Sequence, residues 1–229
     1  MPSAIDSQRG EIALSGKAKA VHQILETGLI PIVRAASAED AFKAAEAIVA
    51  GGVSIAEITM TVPGAIRVME KVADRYGDKV LLGAGTILDA ETARAAILAG
   101  AEFLVSPSLD VGVIEVANRY SKACITGALT PTEVIKAWQA GATFVKIFPC
   151  GNVGGPKYIK ALKGPLPQID FIPTGGVNLE TTPEFLRAGA VAVAVGSELV
   201  NLKALKEGRL DVITENTRKF LRAVEKGRA

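Results

Sequence analysis

Short apolar runs alternate with amphipathic or alanine-rich stretches eight times along this chain, and few folds accommodate that order. The runs fall at 29–34, 55–60, 80–85, 103–107, 123–126, 144–149, 171–174 and 191–195. They are continuous rather than alternating, as expected for parallel strands covered on both sides. Helices are predicted at 38–50, 63–76, 89–98, 110–120, 131–139, 156–162, 179–188 and 211–226. Pro63 reads as the first residue of its helix and Asp89 and Asp110 as helix caps. A further short helix is predicted at 17–27, ahead of the first strand. Four helices stop at a similar Ala-Gly, at residues 50–51, 99–100, 140–141 and 188–189. These stops resemble an internal repeat of the strand–helix unit. Eight units in 229 residues favour an α/β chain folded as a (β/α)8 TIM barrel with a short N-terminal helix. Residues 1–229 are read as one domain, and 1–16 as a flexible N-terminal extension.

Composition narrows the functions such a barrel can have. Hydrophobic residues make up 49% and charged residues 22%, which gives a core-rich globular chain. A net charge of +2 supplies no broad basic field, and 5% aromatic content supplies few stacking platforms, so no nucleic-acid partner is expected. No apolar run is long enough to span a membrane, and none is expected to contact one. The start of the chain has no apolar segment of the secretory kind. Two cysteines, Cys124 and Cys150, make no disulfide framework, and a cytoplasmic location is expected. His22 is the only histidine, so histidine-based metal sites and Ser-His-Asp chemistry lack material. No metal and no cofactor are expected.

Two charged residues stand in apolar company. Lys146 lies within Phe144-Val145-Lys146-Ile147-Phe148-Pro149, and Glu57 is flanked by Ile55, Ile58 and Met60. Burying an unpaired ammonium is costly and lowers its pKa, and a neutral lysine can form a Schiff base with a carbonyl. Lysine and glutamate could instead neutralise each other as a structural pair, and the lysine alone could snorkel from a strand end. In a barrel the site lies at the C-terminal strand ends. There the sequence places Arg34, Thr59 and Thr61, Thr86, Pro107, Phe148, Thr174-Gly175-Gly176 and Gly196-Ser197. The glycine-rich ends of strands seven and eight leave backbone N–H groups open to an anion, the common phosphate position of this fold. Arg34, next door on strand one, can add a charge-assisted contact.

These segments together resemble the 2-keto-3-deoxy-6-phosphogluconate (KDPG) aldolase family, which includes 4-hydroxy-2-oxoglutarate (KHG) aldolase activity. The resemblance runs from about Gly28 to Val200. It is carried by Ile32-Val33-Arg34, Glu57-Ile58-Thr59, Gly83-Ala84-Gly85-Thr86, Val105-Ser106-Pro107, Thr130-Pro131-Thr132-Glu133, Val145 to Pro149, Pro173 to Val177 and Val195-Gly196-Ser197. It implies a metal-free class I aldolase, a homotrimer, that takes a phosphorylated 2-keto acid. By match of motif, Lys146 is the Schiff-base lysine and Glu57 the acid/base. Thr86, Pro107 and Phe148 then line the pyruvyl pocket. Arg34, Gly175, Gly176, Gly196 and Ser197 hold the phosphate, with Thr174 nearby. Many members carry an arginine four residues after the glutamate to hold the substrate carboxylate. Thr61 stands there in this chain, which passes that task to Thr61, Thr86 and backbone N–H groups. Two other readings fit a phosphosugar barrel: an epimerase or isomerase, and a non-catalytic sugar-phosphate-binding or self-assembling scaffold.

Overall fold

A computed structural model describes residues 16–229; apart from Gly16, the expected N-terminal extension lies outside the described residues. Eight strands form the sheet: β1 (Leu29–Val33), β2 (Ile55–Thr59), β3 (Leu81–Gly85), β4 (Phe103–Val105), β5 (Ala123–Ala128), β6 (Phe144–Ile147), β7 (Phe171–Pro173) and β8 (Val193–Val195). The helices are α1 (Lys17–Thr27), α2 (Ala38–Ala50), α3 (Ala65–Tyr76), α4 (Ala90–Leu98), α5 (Val111–Arg119), α6 (Pro131–Gln139), α7 (Pro156–Lys163), α8 (Thr181–Arg187), α9 (Leu202–Lys206) and α10 (Leu210–Arg228).

Neighbouring strands pair in parallel in the order β7-β6-β5-β4-β3-β2-β1-β8. Single bridges, Phe171 to Ala190 and Thr174 to Ala194, join the two ends, so the sheet closes on itself as a (β/α)8 barrel. All strands are buried along their whole length. That explains why their sequences show continuous apolar runs. The helices form the outer layer, and five of them start on side-chain caps. Ser37, Asp89, Asp110, Thr130 and Asn201 each accept a backbone N–H in the first turn. Helix α1 lies at the N-terminal end of the strands, where the Gln23 amide donates to Ser54 just before β2. That leaves the C-terminal end for the site.

Some boundaries differ from expectation. Pro63 does not open α3. The chain turns from β2 into the helix through Gly64 at φ 71°, a left-handed position that suits glycine, and α3 starts at Ala65. Helix α8 starts at Thr181 because the Asn178 carboxamide accepts from the Glu180 and Thr181 N–H groups and holds residues 178–180 as a turn. Helix α9 was not predicted; five residues are too few to show a helical period.

Candidate active site

Inward-facing residues are fixed by strand register. Lys146 on β6 pairs with Gly127 on β5, and Glu57 on β2 pairs with Gly83 on β3. Both positions bring a charge into the barrel next to a strand residue without a side chain. Gly85, two residues along from Gly83, is where the Glu57 carboxylate rests. A Cβ at Gly85 would overlap Oε1 of Glu57, and a Cβ at Gly83 would overlap the Phe103 ring. Gly85 therefore makes the slot that a glutamate on the neighbouring strand needs, and Gly83 makes room for the Phe103 ring.

Glu57 is 1% exposed and Lys146 3%. Among the described residues the two form no salt bridge with each other or with any other group. The structural-pair reading thus has no contact behind it. Burial raises the Glu57 pKa, against the pull of the Lys146 and Arg34 charges. Burial also lowers the Lys146 pKa, opposed by Glu57 and assisted by Arg34. Both shifts favour neutral forms, an amine and a carboxylic acid. The Lys146 Nζ lies 5.1 Å from the centre of the Phe148 ring, so that ring walls the amine. Among the described residues, two buried side-chain atoms have no hydrogen-bond partner, Oε2 of Glu57 and Oγ1 of Thr174. Both sit at this end of the barrel, and orphaned polar atoms in a cleft are what a polar ligand would complete.

A cavity of about 170 Å³ opens beside Thr174; Lys146, Glu57, Thr61, Thr86 and Pro107 do not line it. Arg34, Phe148, Thr174, Gly175, Gly176, Gly196 and Ser197 line it, so these seven predicted residues are brought together. Gly175 and Gly176 have φ of 81° and 75°, a left-handed pair that suits glycine. Among the described residues, the backbone N–H groups of Gly175, Gly176, Gly196 and Ser197 have no backbone acceptor. The guanidinium of Arg34 lies beside Gly196, about 3.5 Å from where a Cβ would be. One cation and several open N–H donors make an anion cradle.

Ile32, Val177, Asn178, Ala194 and Glu198 also line the cavity and were not predicted. Ile32 and Ala194 each lie two residues before a predicted one, so the strand period could have found them. Asn178 and Glu198 lie on loops, where no period points. Thr86 follows β3 at φ 59°, rare for a β-branched residue, and is held there by Met60 N–H to Gly85 and Ile87 N–H to Val105. Strain of this kind costs about 1–3 kcal/mol and gathers at functional sites. Pro107 ends the turn after β4, against Gly127. Thr61 lies just past β2 with its hydroxyl 2.7 Å from that of Thr59, whose own hydroxyl donates to the Val33 carbonyl. His22 sits on α1, at the opposite end of the barrel, near Glu26. Cys124 and Cys150 are buried free thiols whose pKa values burial pushes up to about 11 and about 12, which leaves them unreactive. Among the described residues no group of three or more His, Cys, Asp or Glu side chains is placed to hold a metal ion, and no helix is long and apolar enough to cross a membrane.

Comparison with known proteins points the same way. The profile of the family described as KDPG and KHG aldolase matches residues 21–216. A 2-dehydro-3-deoxy-6-phosphogalactonate aldolase of Escherichia coli is 36% identical over 75% of this chain and 83% of its own. A 2-dehydro-3-deoxy-phosphogluconate aldolase of Pseudoalteromonas atlantica is 33% identical over 82% of this chain and 86% of its own. The solved structure of KDPG aldolase from Legionella pneumophila, with pyruvate captured as a covalent carbinolamine, superposes with a TM-score of 0.81 at 30% identity, over 87% of this chain and 96% of that one. A match along most of the chain, with the same barrel beneath it, shows that this protein belongs to the KDPG and KHG aldolase family.

Proposed function

We propose that this aldolase works through a Schiff base on Lys146 and cleaves 2-keto-3-deoxy-6-phosphogluconate to pyruvate and D-glyceraldehyde 3-phosphate. The observation that carries this reading is a buried lysine with no ion-pair partner among the described residues, in the same barrel as a buried glutamate whose Oε2 is unsatisfied there. The carbinolamine trapped in the Legionella relative supports it.

The amine of Lys146 attacks the C2 carbonyl of the substrate. Glu57 supplies and removes the protons that carbinolamine formation and loss of water require. The protonated imine then accepts electrons from the breaking C3–C4 bond, while Glu57 takes the proton of the C4 hydroxyl. The aldehyde leaves, the enamine is protonated at C3, and water releases pyruvate and the free lysine. No cofactor enters these steps. Arg34, Gly175, Gly176, Gly196 and Ser197 hold the phosphate, with Thr174 alongside. Phe148, Pro107 and Thr86 enclose the pyruvyl end, and Thr61 and Thr86 meet its carboxylate. The same chemistry extends to 4-hydroxy-2-oxoglutarate, giving pyruvate and glyoxylate. The galactonate-configured substrate is a second reading, favoured by the 36% identity to the phosphogalactonate enzyme. We read the chain as one domain, a homotrimer, and cytoplasmic.

Incubation with pyruvate and borohydride tests the mechanism. A reduced adduct on Lys146, lost in Lys146→Ala, is expected by mass analysis. Absence of an adduct on the parent enzyme would overturn it, and turnover rates on the two epimeric phosphorylated substrates and the dicarboxylate decide the range.

A further inference from the structure

Gly127 has no conformational reason to be glycine. It lies inside β5 with no positive φ, where any residue could stand. Its reason is space. A Cβ at 127 would overlap the carbonyl carbon and oxygen of Pro107 and the N–H of Ser108. These are backbone atoms, which cannot swing aside as a side-chain tip can. The turn after β4 therefore folds down onto β5 at the position paired in register with Lys146. Ser106 fastens the turn there. It is fully buried, its hydroxyl donates to the Ser108 carbonyl at 2.7 Å, and it accepts the Gly127 N–H at 3.3 Å. One hydroxyl thus ties both ends of the turn to the strand beneath.

We infer that Ser106 and Gly127 are positioning residues that seat Pro107 against the pyruvyl end of the substrate and so set the geometry at C3. The inference rests on the Schiff-base reading above and adds to it two residues that need not touch the substrate. Pro107 has no N–H to donate and a rigid ring, so its contribution is shape. Its seat fixes where the C3 methylene of the enamine lies when a proton is returned to it. The amine on β6 and the anion cradle after β7 and β8 are built from other strands. Disturbing the seat therefore affects proton transfer at C3 more than imine formation or phosphate binding. A misplacement of about 1 Å is worth up to ~10²-fold in rate.

The test uses the full-length enzyme, with Ser106→Ala, Ser106→Thr and Gly127→Ala beside the parent. Three quantities are read per mole of folded protein: exchange of pyruvate methyl protons in D2O by NMR, the yield of borohydride-trapped adduct on Lys146, and inhibition of turnover by inorganic phosphate. Ser106→Ala and Gly127→Ala are expected to slow methyl exchange at least tenfold, with adduct yield and phosphate inhibition within twofold of the parent. Ser106→Thr keeps the hydroxyl and recovers most of the exchange rate. If Gly127→Ala does not fold, the two serine variants decide alone. An exchange rate within twofold of the parent in folded Ser106→Ala overturns the inference, because a residue that only stabilises the fold leaves the folded fraction unimpaired. Equal losses in all three quantities also overturn it, since they mean a general collapse of the site. A parent that forms no adduct overturns the Schiff-base reading and this inference together.

Discussion

At the scale of single residues, what sets the site is the contrast between two buried charges and the bare backbone beside them. Lys146 and Glu57 were legible in the sequence because a charged letter among apolar ones is conspicuous, whatever the fold. The glycines around them were not. Gly83, Gly85 and Gly127 look like turn or strand-end glycines on paper, and their purpose depends on what crosses from the next strand: the Phe103 ring, the Glu57 carboxylate and the Pro107–Ser108 backbone in turn. Gly85→Ala pushes a methyl into Oε1 of Glu57, so kcat is expected to fall about 10²-fold, comparable to Glu57→Gln and within the usual worth of acid–base catalysis. Steady-state kinetics on both variants checks this. The buried carboxyl also has a pH signature. Its pKa is raised above 4.5 in the folded state by burial. A group that holds its proton more tightly when folded stabilises the fold below its unfolded value, and that contribution fades as pH rises through the folded value. Glu57→Gln is therefore expected to flatten the decline of Tm above pH 4.5, measured by thermal melts across the range to pH 8.

Among the elements, the legible part was the alternation itself. Strand and helix types followed from run length, period and caps, and α1, α2 and α6 fall where the sequence put them. Helix α9 and the turn through Gly64 were not legible, because a single turn of helix and a single left-handed residue carry no period. The loop between β5 and α6 shows how an element end supports the site. Thr130 caps α6 by accepting the Glu133 N–H, and the Glu133 carboxylate accepts from the N–H groups of Leu129 and Thr130. Tyr158 on α7 donates its hydroxyl to the Leu129 carbonyl from the other side, at 2.5 Å. The Phe148 N–H donates to the Ala128 carbonyl, so this loop is joined to the wall of the lysine pocket. Thr130→Ala is expected to cost about 1 kcal/mol of stability, the usual worth of an N-cap, seen as a lower urea midpoint at unchanged slope.

At the scale of the whole molecule, the last helix completes the outer layer. α10 packs between α8 and α2, and glycines are again the contact points. A Cβ at Gly51 would lie 2.5 Å from the Thr217 Cβ and 2.9 Å from the Thr214 carbonyl. Gly51→Ala is expected to destabilise by about 1–3 kcal/mol while kcat of the folded enzyme is unchanged, since the contact is far from the barrel mouth. Chemical denaturation alongside kinetics tests both halves. The Arg228 guanidinium, near the end of α10, donates to the Glu26 and Leu25 carbonyls at 2.6 and 2.5 Å, which joins the last helix to the C-terminus of α1. This link was not legible, since it spans more than two hundred residues of sequence.

Helix α1 has one more consequence, for traffic. Among the described residues it packs at the strand starts, which leaves the strand ends as a door. Lys146 and Glu57 lie within their strands, while Arg34 and the two glycine turns stand past the strand ends, nearer that door. In the cleavage proposed above, the phosphate-bearing fragment is therefore first in the queue and pyruvate, tethered at the back, is last. Such an order makes pyruvate the product that competes with incoming substrate, and lets the empty doorway admit water only after the aldehyde has gone.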